Sequence, residues 1–206
     1  MNNLKDKVIL ITGAGKGSGR TLAKSLAEHG AIIAVNDISP INVDEVADEI
    51  NKNGGRAKVY IEDVAKKVGV QHLIKQVEDE FGRIDVLINH AAVEPHVPLL
   101  DMDEWDWHRV MDVNLTGSFL MAQSVGRVMR ASSPQGNQGS GVIINLIAAN
   151  QHTVKNDAAF VASMNGLDGF TRQAAQELSP YGIQVHAVET GDDIVERVLA
   201  LLEERS

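Results

Sequence analysis

The chain contains no cysteine among its 206 residues, and this absence excludes disulfide bonds and thiolate-ligated metal sites. A basic excess is also missing, because 28 acidic residues outnumber 19 lysines and arginines and give a formal net charge of -9. Proteins that bind a nucleic-acid backbone usually display a basic patch. The composition therefore argues against a nucleic-acid partner, and no other residue cluster predicts a metal site.

Segments that direct a chain to a membrane are absent as well. Residues 1–7 are polar and run directly into a strand pattern, without the charged, apolar and small-residue order of a signal peptide. The apolar runs are far shorter than a membrane span. We therefore expect a cytoplasmic protein that does not associate with membranes, and the length suits a single domain over residues 1–206.

Short β-branched segments alternate along the chain with helical patterns. Strands are predicted at 8–12, 31–36, 57–61, 84–89, 142–146 and 183–188. Helices are predicted at 20–29, 43–53, 67–81, 103–131, 158–178 and 192–204. Most strands are apolar at nearly every position, as is typical of parallel strands covered on both faces. The pattern predicts an α/β fold with a doubly wound, Rossmann-type parallel sheet of six strands.

A glycine-rich segment, TGAGKGSGR at 12–20, joins the first predicted strand to the first predicted helix. Glycine lets backbone N–H groups approach a pyrophosphate, and the helix N-terminus attracts its negative charge. We predict that Gly13, Lys16, Gly17, Ser18 and Gly19 contact a dinucleotide. The alternatives are a glycine-rich turn without a ligand and, for Lys16, a solvated loop side chain.

Carboxylates follow the second and third predicted strands. Asp37 ends the second strand, where a carboxylate accepts both ribose hydroxyls of adenosine and repels a 2′-phosphate. We therefore predict NAD as the cofactor, with NADH preferred over NADPH. Asp63 is positioned to meet the adenine amino group, although alone it would be interpreted as a cap for the next helix. The residues that follow these carboxylates, Ile38 and Val64, are also predicted to contact the cofactor.

With these motifs the chain resembles the short-chain dehydrogenase/reductase family over about residues 5–191. The glycine loop, Asp37 and Asp63-Val64 match the cofactor contacts of that family. The segment NHAA at 89–92 resembles the family's Asn-Asn-Ala-Gly segment, which adds Asn89 and Ala91 to the predicted cofactor residues. The segment VNLTG at 113–117 resembles the asparagine motif of the long helix, and 181–188 resembles the sixth strand.

The resemblance implies hydride transfer between nicotinamide and a carbonyl or alcohol, with serine, tyrosine, lysine and asparagine as catalytic residues. Here Ala148 occupies the serine position, Phe160 the tyrosine position and Met164 the lysine position, and only Asn114 remains. Phe160 has no proton to exchange and Met164 has no charge that would lower the pKa of a neighbour. We predict a dinucleotide-binding protein that is impaired or inactive as a dehydrogenase, a pseudoenzyme.

Two other functions remain open. An active oxidoreductase would need a relocated proton donor, for which His90, His96, His152 and Lys155 are candidates, although each is also typical of an ordinary surface or loop residue. The third possibility is a structural subunit that binds no nucleotide. The glycines of the loop favour the first function over the third, and the lost catalytic residues favour it over the second.

Further departures from the family concern the substrate side and the oligomer. Ser18 replaces a common isoleucine, and the region after Gly191 lacks room for the usual substrate lid and seventh strand, so any substrate pocket is expected to be shallow. Trp105 and Trp107 are interpreted as core or interface residues because their rings bury large areas. The apolar faces at 115–129 and 160–178 predict a homodimer through the two long helices, as the resemblance implies.

Overall fold

Six parallel strands form one sheet in the computed structural model, which describes residues 4–132, 141–148 and 157–203. The strands are β1 (Val8–Ile11), β2 (Ile32–Asp37), β3 (Arg56–Ile61), β4 (Val86–Asn89), β5 (Gly141–Ile147) and β6 (Ile183–Glu189). Their order across the sheet is β3-β2-β1-β4-β5-β6. The predicted α/β fold with a six-stranded parallel sheet is confirmed. The order reverses between β1 and β4, where ligands bind in open parallel sheets.

Helices connect successive strands. They are α1 (Gly17–Glu28), α2 (Pro40–Lys52), α3 (Lys67–Phe81), α4 (Glu104–Met111), α5 (Ser118–Ala131), α6 (Ala158–Leu178) and α7 (Ile194–Glu203). Only residues 190–193 separate β6 from α7. None of the helices in the described ranges is long and apolar enough to span a bilayer.

The sheet is covered on both faces, and alternate residues of β1 show this directly. Ile9 and Ile11 belong to a buried cluster with apolar residues of α1, α2 and α7. Val8 and Leu10 belong to a second cluster with residues of α3, α5 and α6. Since successive side chains of a strand point to opposite faces, a strand that is apolar throughout has both faces buried.

The helix predicted at 103–131 is interrupted. A π-helical turn, Asp112–Gly117, separates α4 from α5. Within this turn, the Asn114 side chain forms hydrogen bonds to Val93 and Ser163, which lie in other segments. At the end of this turn a Cβ on Gly117 would lie 3.2 Å from the carbonyl oxygen of Val64, so glycine allows a close approach there. Gly126 lies within α5 and does not interrupt it. The hydrophobic period predicted the helical region, but not this local irregularity.

Candidate dinucleotide cleft and substrate cavity

A cleft lies at the carboxyl ends of the strands and has two neighbouring parts. The first, of about 800 Å³, is lined by residues that follow β1, β2 and β3. The second, of about 630 Å³, is lined by residues of α4, β5 and α6. The two parts share five lining residues and therefore adjoin one another. These residues are Lys16, His90, Ala92, Val93 and Arg109. We call them the dinucleotide cleft and the substrate cavity.

The glycine loop leaves its backbone open to the dinucleotide cleft. Gly13 and Gly17 have φ angles of +62° and +55°, a region that favours glycine. A Cβ on Gly17 would meet only the ring of His90, at 4.0 Å. The helix α1 begins at Gly17, and its N-cap, Lys16, forms no side-chain capping hydrogen bond. The first N–H groups of α1 are thus available to an anion.

Gly19 and His90 hold the loop against the end of β4. A Cβ on Gly19 would lie 2.6 Å from both the Gly13 oxygen and the His90 Nδ1 atom, so only glycine fits. The His90 Nδ1 group donates a hydrogen bond of 2.9 Å to the Gly13 oxygen. Burial lowers the pKa of His90, and this outweighs the opposing effect of the Gly13 hydrogen bond. His90 is therefore uncharged at neutral pH, with the proton on Nδ1.

Asp37 lines the dinucleotide cleft at the end of β2. Its Oδ2 atom accepts a hydrogen bond from the Gly15 N–H, and its Oδ1 atom accepts one from the Ser39 N–H, both at 3.1 Å. The two bonds fix the carboxylate while leaving lone pairs for further donors. Ile38, which is 63% exposed, also lines the cleft. Ser18 is half-buried and lines neither part of the cleft, so the structure does not group it with the other predicted cofactor residues.

Asp63 and Val64 line the dinucleotide cleft after β3. The Asp63 Oδ1 atom accepts a hydrogen bond of 3.0 Å from the Ala65 N–H. The N-cap of α3 is Lys66, so the alternative interpretation of Asp63 as the cap of that helix is wrong. Asp63 instead stabilises the turn that leads into α3.

The segment after β4 is anchored by a residue that the sequence analysis missed. The Thr12 hydroxyl oxygen accepts hydrogen bonds from the N–H groups of His90 and Ala91, at 3.1 and 3.2 Å. Ala91 lines the dinucleotide cleft. Asn89 is buried and donates to the Asn145 side chain at 2.8 Å, and it lines neither part of the cleft. Asn89 therefore links β4 to β5 and does not face the open space.

The three positions that the resemblance aligns with serine, tyrosine and lysine come together in the substrate cavity. Ala148 directly follows β5, whereas Phe160 and Met164 lie on α6. All three residues line the cavity. Phe160 and Met164 are also buried in an apolar cluster with residues that include Val110 and Leu167. None of the three side chains can donate or accept a proton.

Asn114, the surviving family position, is used in packing. It is 1% exposed and its Oδ1 atom accepts a hydrogen bond of 2.8 Å from the Val93 N–H. Its amide group donates to the Val93 oxygen at 3.1 Å and to the Ser163 hydroxyl at 3.0 Å. Ser163 donates in turn to the Phe160 oxygen. Asn114 thus ties the π-helical turn to α6 and to the segment after β4.

The two tryptophans of α4 lie at the surface. Trp105 and Trp107 are 63% and 37% exposed, so the interpretation of these rings as core residues is wrong. Trp105 lines the dinucleotide cleft, and the Arg109 guanidinium lies 5.3 Å from its ring centre. Both tryptophans follow Asp103, the N-cap of α4, whose Oδ1 atom accepts a hydrogen bond from the Asp106 N–H. The candidates His152 and Lys155 lie outside the described residues.

The dinucleotide cleft fits a nucleotide cofactor by its own features. An uncapped helix N-terminus, two glycines with positive φ and a fixed carboxylate at the end of the second strand are the elements of a pyrophosphate and ribose site. The fold is of the Rossmann type, and this cleft has the features expected of a dinucleotide site.

Comparison with known proteins identifies the family. The family model for short chain dehydrogenases matches residues 7–194, and the chain belongs to this family, whose members are oxidoreductases that bind NAD(P). The chain is 39% identical over 193 residues to a 3-oxoacyl-[acyl-carrier-protein] reductase of Synechocystis sp., with 93% of this chain and 76% of the relative covered.

Similar proteins differ in their cofactor. An NAD-dependent glycerol dehydrogenase of Listeria innocua is 34% identical over 187 residues, covering 90% of this chain and 70% of the relative. A metagenomic short-chain oxidoreductase solved in complex with NADP has a TM-score of 0.89 at 29% identity, covering 97% of this chain and 91% of that one. Membership of the family therefore does not by itself choose between NAD and NADP.

Proposed function

We propose that this chain binds NAD(H) in preference to NADP(H) and catalyses little or no hydride transfer. The observation that carries the proposal is the contrast within one cleft. The dinucleotide part has an open glycine loop and a fixed carboxylate, whereas the substrate cavity has Ala148, Phe160 and Met164 where the family resemblance places serine, tyrosine and lysine.

The preference for NAD(H) rests on Asp37. Its carboxylate is held by two backbone N–H groups and lines the dinucleotide cleft, so it cannot easily turn away from a bound ribose. A 2′-phosphate brought to this place would meet a like charge, whereas the hydroxyls of NAD(H) would donate to the carboxylate. Lys16 lies in the same cleft and opposes this effect, but its side chain is exposed and free to move into solvent.

The loss of catalysis rests on the missing proton donor. Reduction of a carbonyl needs a proton as well as a hydride, and general acid catalysis contributes about 10² to 10⁴ in rate. His90 is the described histidine that lines the substrate cavity, but burial lowers its pKa and its one proton is engaged with the Gly13 oxygen. This arrangement favours a catalytically impaired protein over an enzyme with His90 as a relocated acid.

The proposal is tested by titrating the chain with NADH and with NADPH while following nucleotide fluorescence. We expect saturable binding of both, with a lower Kd for NADH, and negligible NADH oxidation with a panel of ketones, aldehydes and β-keto esters. Tighter binding of NADPH would contradict the preference. Absence of saturation with either nucleotide would favour a structural subunit. Steady turnover that is abolished by His90→Asn or His152→Ala would favour an active enzyme with a relocated acid.

We further propose that the chain forms a homodimer through α5 and α6. A groove of about 400 Å³ lies between these helices and is lined by both aromatic and small side chains. Phe119 of α5 is 39% exposed and contacts Phe170 of α6 edge to face, with ring centres 6.0 Å apart. Contiguous exposed apolar surface of this kind is typical of an interface, and a two-fold axis would pair the same helices from both subunits.

Light scattering after size exclusion tests the dimer. We expect the unmodified chain to elute as a dimer and Phe119→Glu to elute as a monomer, because a charge would be buried at the centre of the interface. Val68→Glu is a matched control, since Val68 is also an exposed apolar helix residue, 77% exposed, but lies on α3. A monomeric unmodified chain would contradict the proposal.

A further inference from the structure

Three potential metal ligands meet beside the substrate cavity. Glu94 and His96 belong to the segment after β4, and Asp157 immediately precedes α6. Their ligand atoms all lie within 4.8 Å of one another. The His96 Nδ1 atom is 2.8 Å from an Asp157 oxygen and 3.8 Å from a Glu94 oxygen. Within the described residues the cluster brings one imidazole and two carboxylates to one point.

Asp157 is the unusual member of the cluster. Its side chain is completely buried, yet neither carboxylate oxygen has a hydrogen-bond partner among the described residues. The His96 ring is close enough for a hydrogen bond to Oδ2, but the two groups are not aligned for one. A buried carboxylate without a partner is strongly unfavourable, and buried charges are normally paired or coordinate a metal. A cation beside Asp157 would supply the missing partner.

We propose that Glu94, His96 and Asp157 bind a divalent transition-metal ion of the zinc class. Zinc binds histidine nitrogen and carboxylate oxygen at about 2.0 to 2.2 Å, so the ligand atoms around one zinc ion lie a few ångströms from one another. Calcium and magnesium prefer all-oxygen sites, and the imidazole therefore favours zinc over them. Glu94 and His96 are partly exposed, at 36% and 65% of their side chains, which gives the ion a path from solvent.

The cluster lies where a bound ion would connect two sides of the substrate cavity. Glu94 lines the substrate cavity, and Asp157 stands at the start of the helix that carries Phe160 and Met164. A bound ion would therefore join two rims of the cavity. Three protein ligands leave a fourth position for water or for a substrate oxygen, as in zinc sites that are not closed. The sequence predicted no metal site, and His96 was considered there only as a proton donor.

A simple ion pair between His96 and Asp157 is the competing interpretation. It needs no metal and leaves Glu94 without a role, since the Glu94 oxygen is 3.8 Å from the His96 nitrogen. The two interpretations differ in one measurable property. Only the metal site predicts saturable binding of zinc that depends on Glu94 as well as on His96.

Calorimetric titration of the untagged, EDTA-stripped chain with Zn²⁺ tests the proposal. We expect one Zn²⁺ per chain and no comparable binding of Mg²⁺ at the same concentration. His96→Asn and Glu94→Gln should each weaken Zn²⁺ binding by about tenfold or more, at least the loss seen when supporting residues of metal sites are changed. His72→Asn is a matched control, because His72 pairs with Glu62 at the surface without a third ligand.

Two further measurements keep the test decisive. Co²⁺ added in place of Zn²⁺ should give visible absorption bands that His96→Asn removes, which reports coordination directly. The NADH affinity of His96→Asn should be unchanged, so failure of the metal site and failure of the proposed dinucleotide binding are distinguishable. If the unmodified chain binds no Zn²⁺ saturably, or if His96→Asn binds it as tightly as the unmodified chain, the proposal is overturned. Should Asp157→Asn fail to fold, the two exposed ligands still decide the matter.

Discussion

Replacing Ala148, Phe160 and Met164 by serine, tyrosine and lysine is expected to restore hydride transfer. All three residues line the substrate cavity of about 630 Å³, which gives the new polar groups a neighbouring open space, although Phe160 and Met164 are also part of a buried apolar cluster. A tyrosine supplies the missing proton, and a nearby lysine lowers the pKa of that tyrosine. We expect the triple variant to oxidise NADH with a carbonyl about 10² to 10⁴ times faster than the unmodified chain.

The effect on stability follows from the burial of the three positions. Met164 is only 3% exposed, and an ammonium group trapped without a partner has its pKa lowered by up to about 3 to 5 units, at about 1.4 kcal/mol per unit. Lysine at this position can instead extend into the cavity, so we expect Met164→Lys to lower the free energy of unfolding by about 1 to 2 kcal/mol. Phe160→Tyr and Ala148→Ser should change it by about 0.5 kcal/mol or less.

The assay compares the triple variant with a matched control that carries Met164→Gln in place of Met164→Lys. Glutamine is polar and of similar length but has no charge, so the tyrosine of the control keeps a pKa near its ordinary value of about 10. We expect the control to be slower than the triple variant at neutral pH, because a tyrosine with an unshifted pKa is a weaker acid, and to lose rate as the pH rises toward that pKa. Urea denaturation and NADH titration of both variants show whether each is folded and binds the nucleotide.

One result would refute this reasoning. If the triple variant is folded, binds NADH with the Kd of the unmodified chain and still reduces no carbonyl in the panel, the three substitutions are not the cause of the inactivity. The cause would then lie elsewhere, for example in the short connection at residues 190–193.

Three further predictions test separate parts of the cleft. Asp37→Ser should raise the affinity for NADPH relative to NADH by about tenfold or more, because it removes the charge that repels a 2′-phosphate. The pKa of His90 is lower in the folded chain than in the unfolded chain, so the unfolded chain protonates this residue more readily. The uncharged His90 therefore contributes fully to the free energy of unfolding above about pH 6.5. This contribution is lost as the pH falls through the folded pKa. Urea denaturation between about pH 7 and 5 should therefore show a smaller loss in His90→Asn than in the unmodified chain. Asn114→Ala should lower the free energy of unfolding by about 2 to 4 kcal/mol, because it leaves the Val93 N–H without its acceptor.

Two of these predictions have a control variant, and the third has an outcome that contradicts it. For Asp37→Ser, the exposed aspartate Asp48 on α2 is replaced in the same way, and an equal change in the nucleotide ratio would show that net charge alone is responsible. For His90→Asn, a pH dependence of the free energy of unfolding equal to that of the unmodified chain would mean that other groups cause the loss of stability at low pH. For Asn114→Ala, the exposed Asn165 is replaced by alanine, and a similar loss of stability in both variants would contradict the bracing role of Asn114.

Local features of the sequence were enough to predict the fold and half of the cleft. An apolar run such as Val8–Ile11 shows a buried strand by itself, and Gly13 and Gly17 mark a turn because their backbone angles favour glycine. Asp37 is likewise recognisable from its place at the end of a strand. These properties depend on a few neighbouring residues, so periodicity and residue type predict them.

Contacts between distant segments were not predictable in the same way. The His90 side chain reaches Gly13 across 77 positions, and Asn114 reaches Ser163 across 49. From the sequence alone, His90 is therefore a candidate acid or an ordinary loop residue, and Asn114 is a surviving catalytic position. A polar residue near the end of an apolar strand is the sequence signal for such a long-range hydrogen bond, but its partner depends on the tertiary fold.

The two halves of the cleft differ in the groups that form them, and the proposed function depends on this difference. The dinucleotide half depends on backbone geometry, on glycines that a Cβ would disrupt and on a helix N-terminus, all of which also hold the fold together. The substrate half depends on three side chains, and Phe160 and Met164 fill their places with apolar atoms that pack in a buried cluster. Substitution there removes polar groups without leaving buried partners unpaired, so the fold is not penalised. We therefore expect nucleotide affinity and hydride transfer to be separable by mutation in this chain.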